Sequence, residues 1–243
     1  MKIALIGYGK MGKAIAEEAK RQGLEITATI DPHADDANYK DLTPESIRSA
    51  DVCIEFSRPD TVMKNIQLIS EAGKPVVIGT TGWYDQMPKV EDLVNQYQVG
   101  AIYAQNFSLG MNFYLKILEN AASLVDQIDE YDISGYEMHH SQKVDSPSGT
   151  AEAIVDTLLK QISRKERACY DKAEEKIDPK SLHMASIRCG SVPGTHSVMM
   201  DSSFDTITLT HQARNRDGWT KGALVAAKWI QGKKGLHHIS ELF

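Results

Sequence analysis

Three cysteines in 243 residues, Cys53, Cys169 and Cys189, give this chain little capacity for covalent cross-linking. They are odd in number and widely spread, with no CxxC pair, so they predict reduced thiols in a cytoplasmic protein rather than a disulfide framework. Long apolar runs are also scarce. No stretch approaches the roughly 20 apolar residues of a membrane-spanning helix, and the run after Met1 falls short of the roughly 7 to 15 residues of a signal-peptide core. Excess positive charge is missing too: 27 Lys and Arg stand against 33 Asp and Glu, a net charge of −6. That balance argues against a nucleic-acid groove or an anionic membrane as partner. Neither internal repeats nor low-complexity tracts occur. What remains, 42% hydrophobic and 25% charged, suits a soluble globule, long enough for one or two domains of about 150 residues each.

The N-terminus carries the first positive signal. Ile3 to Ile6 reads as a short strand that runs into GYGKMG, and Met11, Ala14, Ile15 and Ala19 then fall on one face of a helix. Gly7, Gly9 and Gly12 thus form a GxGxxG between strand and helix. In that place the first glycine permits the turn, the second lets backbone approach a pyrophosphate, and the third allows close packing. A second strand, Glu25 to Ile30, ends at Asp31, near the spacing of about 20 residues at which an acidic side chain takes the ribose hydroxyls. Asp31 should repel a 2′-phosphate and favour NADH, whereas Lys10, Lys13 and His33 lie near enough in sequence to offset that repulsion and leave NADPH open. Strand and helix patterns continue to alternate through Val52 to Phe56, a helix with Val62, Ile66 and Ile69, and Val76 to Ile78 before Gly79-Thr80-Thr81-Gly82. This is the pattern of a Rossmann-type, doubly wound α/β domain.

Past Ser108 the pattern changes. A helix over 113–125 is expected to turn Phe113, Ile117, Leu118, Ala121, Leu124 and Val125 inward. Strand-like segments follow at Tyr131 to Met138, Ala185 to Cys189, His196 to Met200 and Thr206 to His211, with Ser191 to Gly194 read as a tight turn joining two antiparallel strands. They predict an α+β domain on a mixed, largely antiparallel sheet, whose open face needs helices or another subunit to cover it. The charged run Ser163 to Lys180 reads as a solvated excursion and His237-His238 as exposed. Residues 1–107 and 218–243 are expected to form the nucleotide domain, and 108–217 the substrate-binding and oligomerisation domain.

Chemistry concentrates in EMHHSQKVDSPSGT, from Glu137 to Thr150. His139 and His140 offer imidazoles, Lys143 an ammonium, and Gly149 and Thr150 the opening of a helix whose unpaired N–H groups and dipole favour an anion. Ser148 or Thr150 acting only as a helix cap is the plainer alternative. Zinc on His139 and His140 is disfavoured, because neighbours on a strand point to opposite faces and no ligand partner stands at the right spacing. No metal is expected.

Essentially end to end, the chain resembles the dihydrodipicolinate reductases. The resemblance rests on GYGKMG, on FSRP at Phe56 to Pro59, on GTTG at Gly79 to Gly82, on NFSLG at Asn106 to Gly110, and above all on EMHHSQKVDSPSGTA. It implies reduction of 4-hydroxytetrahydrodipicolinate with NADH or NADPH in lysine and diaminopimelate biosynthesis, by a homotetramer with hinges near Asn106 to Gly110 and Arg214 to Gly222. It further implies His139 and Lys143 as the proton-transfer pair, and His140, Lys143, Gly149 and Thr150 as contacts to a small dicarboxylate substrate. On the cofactor side it implies Gly7, Tyr8, Gly9, Lys10, Met11 and Gly12, together with Asp31, Gly79, Thr80, Thr81, Ala104, Gln105, Asn106 and Phe107. Pro32 departs from the family pattern, since some members place there an arginine that holds the 2′-phosphate of NADPH.

Overall fold

The structure is a computed structural model that describes residues 1–170, 175–215 and 217–243. In chain order it contains β1 (Lys2–Ile6), α1 (Lys10–Arg21), β2 (Glu25–Ile30), β3 (Val52–Glu55), α2 (Val62–Glu71), β4 (Val76–Ile78), α3 (Met87–Gln96), β5 (Gly100–Tyr103) and α4 (Leu109–Val125). There follow β6 (Asp132–His139), α5 (Gly149–Gln161), β7 (Arg167–Cys169), β8 (Ser181–Arg188), β9 (Thr195–Asp201), β10 (Thr206–Gln212), α6 (Asp217–Trp229) and β11 (Gly235–His238). Two compact units result: Met1–Leu109 with Asp217–Phe243, and Gly110–Arg216.

The first unit is a six-stranded sheet in the order β11-β5-β4-β3-β1-β2, with every pairing parallel. Parallel strands buried on both faces explain the continuous apolar runs such as VVI at β4. Ile3 and Leu5 point to one core, with Ile15 and Ala19 of α1 and Ala223, Ala226, Ala227 and Ile230 around α6, while Ala4 and Ile6 join Ile66 and Ile69 of α2 on the other side. The C-terminal strand β11 was not foreseen. Its two histidines are half-buried rather than exposed, because His238 packs edge-on to Tyr103 at 5.1 Å between ring centroids and His237 is bound to Glu241.

The second unit is a five-stranded mixed sheet, β10-β9-β6-β8-β7, with β6, β7 and β8 parallel and β9 antiparallel to both β6 and β10. The turn expected at Ser191 to Gly194 does not make a hairpin, since β6 lies between β8 and β9 and the connection crosses over its end. It is tied there by Cys189 N–H donating to the His139 carbonyl at 2.8 Å and by Ser141 N–H donating to the Gly190 carbonyl at 3.1 Å. Within the charged run read as an excursion, Arg167 to Cys169 form the edge strand β7; residues 171–174 of that run, and residue 216 of the expected second hinge, lie outside the described residues.

Helix α4 is rotated from the expected setting. Met111, Tyr114, Leu118, Ala122 and Val125 enter the core with Ile154, Val155 and Leu158 of α5 and with Ile133, Leu182, Met184 and Val198 of the sheet. Phe113, Ile117 and Leu124 face outward. Both stripes are apolar at helical spacing, so periodicity alone could not choose. Leu118→Ala should therefore destabilise the chain by about 2 to 5 kcal/mol in urea unfolding, while Leu124→Ala should cost under about 1. Equal costs would contradict this orientation of α4.

Candidate active site

The carboxyl ends of β1, β3, β4 and β5 lie side by side, so Gly7, Phe56, Gly79 and Ala104 follow four neighbouring parallel strands. This is the edge at which open α/β sheets bind ligands. Three of the glycines are required by internal contacts. A Cβ at Gly7 would lie 2.2 Å from the Phe56 carbonyl oxygen, one at Gly12 2.2 Å from the Gly7 oxygen, and one at Gly79 2.1 Å from the Phe56 ring. Gly9 differs, for a Cβ there meets nothing within 4 Å. Nothing among the described residues demands glycine at that position, whereas a dinucleotide pressed against the start of α1 would; the turn fits such a group.

Asp31 closes the turn from the next strand. Its carboxylate accepts from the N–H of Tyr8 and of His33, each at 2.8 Å, and of Ala34 at 3.2 Å. Burial opposes its charge, but these backbone donors outweigh that and hold the carboxyl below its ordinary range. Lys13 is engaged by Asp36 at 2.8 Å. Thr80 is buried and its carbonyl accepts from the Trp83 indole at 2.8 Å, while Thr81 is exposed. Glu55, at the end of β3, is fully buried, bound by Ser57 and Asn65, and burial raises its carboxyl. Beyond β5, Ala104 and Phe107 are buried, Gln105 is exposed, and Asn106 Oδ1 accepts from Ser108 N–H at 2.8 Å.

In the second unit the alternation along β6 sends Glu137 and His139 to the same buried face. Glu137 has no exposed surface. One of its oxygens lies 2.6 Å from His139 Nδ1, and the other takes Arg188 Nη1 at 2.9 Å and the Ser148 N–H at 3.3 Å. Arg188 stands opposite His139 on β8, and its Nη2 donates to the Asp145 carbonyl at 2.6 Å. His196, opposite Glu137 on β9, sets its ring edge against His139 at 5.2 Å. Lys143 reaches Asp145 at 2.7 Å. Ser148 caps α5, accepting from Ala151 N–H at 3.2 Å, so the capping role falls to Ser148 rather than Thr150. Gly149 follows, exposed, and like Gly9 it has nothing within 4 Å of a Cβ. His140 is half-buried just past the strand.

Burial works against charge on Glu137, but the contacts from Ser148 and Arg188 and the nearby His139 prevail and lower its carboxyl. Burial also lowers His139, assisted by the cations Lys143 and Arg188 against the pull of Glu137. At neutral pH the cluster therefore holds a carboxylate, two neutral imidazoles and two cations. Donor atoms of Glu137, His139 and His196 lie within 4.8 Å of one another. However, two ligands of one tetrahedral zinc at about 2.1 Å stand roughly 3.4 Å apart. Nδ1 and the Glu137 oxygen are closer than that, and Arg188 occupies the other oxygen, so the set has the spacing of an ion-paired cluster and not of a zinc site.

Two family models match the chain: the N-terminal part of dihydrodipicolinate reductase over residues 1–107 and its C-terminal part over residues 110–243. The chain belongs to the dihydrodipicolinate reductase family. A 4-hydroxy-tetrahydrodipicolinate reductase of Christiangramia forsetii is 38% identical over 242 residues, covering 100% of this chain and 97% of that protein. Its counterpart in Staphylococcus carnosus is 37% identical, covering 96% and 95%. Among solved structures, a dipicolinate-bound dihydrodipicolinate reductase from Paenisporosarcina sp. TG-14 superposes with a TM-score of 0.83 at 23% identity, over 100% of this chain and 99% of that one. The fold and the family anticipated from the sequence are thus the ones the chain has, and it is an oxidoreductase.

For a dihydrodipicolinate reductase, the sequence names His139, Lys143 and Ser148, gives no role to Glu137 or Asp145, and leaves Arg188 and His196 undecided as lining of the substrate pocket. Glu137 was accessible in principle: two residues before His139 on a strand, it had to share that side chain's face. Arg188 and His196 come from distant strands and only the pairing register brings them in.

Acid should loosen this unit. His196 is pushed down from 6.5 to about 4, first by burial and then by His139, so the folded imidazole stays neutral while the unfolded one takes a proton below 6.5. Stability should fall as pH drops from that value toward 4, by on the order of 3 kcal/mol. Glu137 acts in the same direction, since its contribution is lost as acid protonates the folded carboxyl. His196→Asn should accordingly lose less Tm than the wild type between pH 7 and pH 4.5, and parallel losses would remove His196 from the acid response.

Proposed function

We propose that this chain reduces 4-hydroxy-tetrahydrodipicolinate with NADH or NADPH in the lysine and diaminopimelate pathway. The observation that carries the reading is the cluster of His139, Lys143 and the open backbone at Gly149, on a chain matched by this family over both halves. Dipicolinate bound to the Paenisporosarcina protein agrees with a planar dicarboxylate as ligand.

Residues 1–107 and 218–243 form the nucleotide domain in this reading. Gly7 to Gly12, with Tyr8, Lys10 and Met11, hold the pyrophosphate, Asp31 the ribose, and Gly79 to Thr81 with Ala104 to Phe107 the nicotinamide end. Bound there, the reduced nicotinamide supplies the hydride. NADH is the better fit, because Asp31 is kept charged, Lys13 is engaged by Asp36, and Pro32 offers no cation.

Residues 108–217 bind the substrate. Gly149 and Thr150 take one carboxylate on the N–H groups at the start of α5, where the helix dipole adds to the attraction. Lys143 and His140 meet the ring and its second carboxylate. Once the conjugated imine formed by water loss has been reduced, the resulting enamine needs a proton. Burial keeps His139 uncharged in neutral solution, so the ammonium of Lys143 is the donor, and His139 accepts and orients at its side. Four chains assemble through the open face of the mixed sheet in this proposal. Ser134, Tyr136 and Met138 of β6 with His183 and Ala185 of β8 are half-exposed there and take no part in the core, and Ile187 is exposed beside them. The protein is assigned to the cytoplasm.

Pyruvate, aspartate semialdehyde and the preceding synthase, mixed with this protein and NADH, should oxidise the NADH; an inert mixture would refute the assignment. Lys143→Ala should lower turnover by roughly 10² to 10⁴ while NADH affinity stays near wild type. Asp31→Ala should weaken NADH more than NADPH in nucleotide titrations, and equal losses would overturn the ribose role.

A further inference from the structure

Glu137 is the one fully buried carboxylate among the described residues of the second unit, and it is joined to every part of the cluster. It meets His139 Nδ1 at 2.6 Å, Arg188 at 2.9 Å, the Ser148 N–H at 3.3 Å and His196 Nε2 at 4.0 Å. We propose that Glu137 is a positioning residue that fixes His139 with its proton on Nδ1 and its Nε2 lone pair toward the substrate, and at the same time sets the helix start that holds the substrate carboxylate. The inference rests on the role of His139 given above.

Three observations support it. His139 Nδ1 is sealed from solvent and makes no well-aligned hydrogen bond, and the Glu137 oxygen at 2.6 Å is the acceptor within its reach. A carboxylate accepts and does not donate, so the proton between them belongs to nitrogen and the tautomer follows. On the other side of the ring, Nε2 is kept clear by glycine: a Cβ at Gly194 would lie 3.1 Å from it. Third, the carboxylate spans two segments. His139 ends β6, whereas Ser148 caps α5 and also sets its hydroxyl 3.5 Å from His196 Nε2. Arg188 balances the charge and ties its other nitrogen to the Asp145 carbonyl, in the loop that carries Lys143. The imidazole, the helix start and the lysine loop are thus registered on one anion, and a single charge anchors three otherwise separate pieces of chain. The groups that face His139 are Glu137, Lys143, Arg188 and His196, and of these only Glu137 favours its protonated form.

Glu137→Gln keeps the volume but places an amide where the carboxylate stood. With its oxygen retained by Arg188, the amide nitrogen would donate to Nδ1 and drive the proton to Nε2. Turnover should fall by roughly 10²-fold or more, with NADH affinity unchanged, and the acid limb of the kcat/KM profile should move to lower pH, because the one group favouring imidazolium is gone. A merely structural defect would not move that limb in a set direction. Two-bond proton–nitrogen correlation spectra of the wild-type protein, with the His139 signal assigned by its loss in His139→Gln, should show the proton on Nδ1. A proton on Nε2 there overturns the proposal even if Glu137→Gln fails to fold. So does a Glu137→Gln protein with turnover within about twofold of wild type and an unmoved acid limb. His139→Gln measured alongside separates the two readings: wild-type turnover in that variant sinks the role of His139, whereas an impaired His139→Gln beside a fully active Glu137→Gln sinks only the role of Glu137. In the double variant, the loss should not exceed that of His139→Gln alone.

Discussion

A carboxylate with no exposed surface stands in the middle strand of the second sheet, and the rest of that unit's polar architecture is arranged to keep it charged. Burying such an ion costs several kcal/mol unless partners surround it. Here Arg188, the Ser148 amide and His139 supply them, each from a different segment. The arrangement constrains β6, β8 and the start of α5 together, so the precision of the cluster comes from strand register and not from the mobile habits of a loop. Removing any one partner leaves the others with an uncompensated buried group, which is why the set persists as a whole.

The two glycines that have empty surroundings and no positive φ to explain them belong to the same logic. Gly7, Gly12 and Gly79 are explained by carbonyl oxygens and a ring lying where a Cβ would go. Gly9 and Gly149 have no such neighbour, and each stands beside the first turn of a helix, one in each unit. Exposed glycine at such positions sacrifices backbone entropy for nothing unless something from outside comes close. Internal fit accounts for the first group; the proposed ligands account for the second.

Much of this was legible in the chain itself. The strand-turn-helix around GYGKMG, the apolar strands of the parallel sheet and the segment from Glu137 to Thr150 are local patterns, and local patterns survive in sequence. What escaped was set by the tertiary context. Phe113, Ile117 and Leu124 have the same helical spacing as the stripe that is buried, and only the partner surface decides between them. Ser191 to Gly194 does join two antiparallel strands, yet β6 inserts between them, and a pairing that distant leaves no mark on the turn. β11 carries GLHH, a weak strand former on its own, and it exists because β5 offers an open parallel edge. His196 and Arg188 joined the site for the same reason: their places follow from register with β6.

Charge partition within the cluster separates two cations that look alike in sequence. Arg188 is bound to a fully buried carboxylate by a planar guanidinium suited to such pairing, and breaking that contact would strand a charge in the interior. Lys143 instead pairs with Asp145, a side chain 58% exposed to solvent, and pairs of that kind contribute little. A carboxylate arriving in the proposed reaction would therefore displace Asp145 at small cost, while it has no means of displacing Glu137. Of the two cations, the lysine is the one free to change partners, which is the property that the proposed proton donor needs.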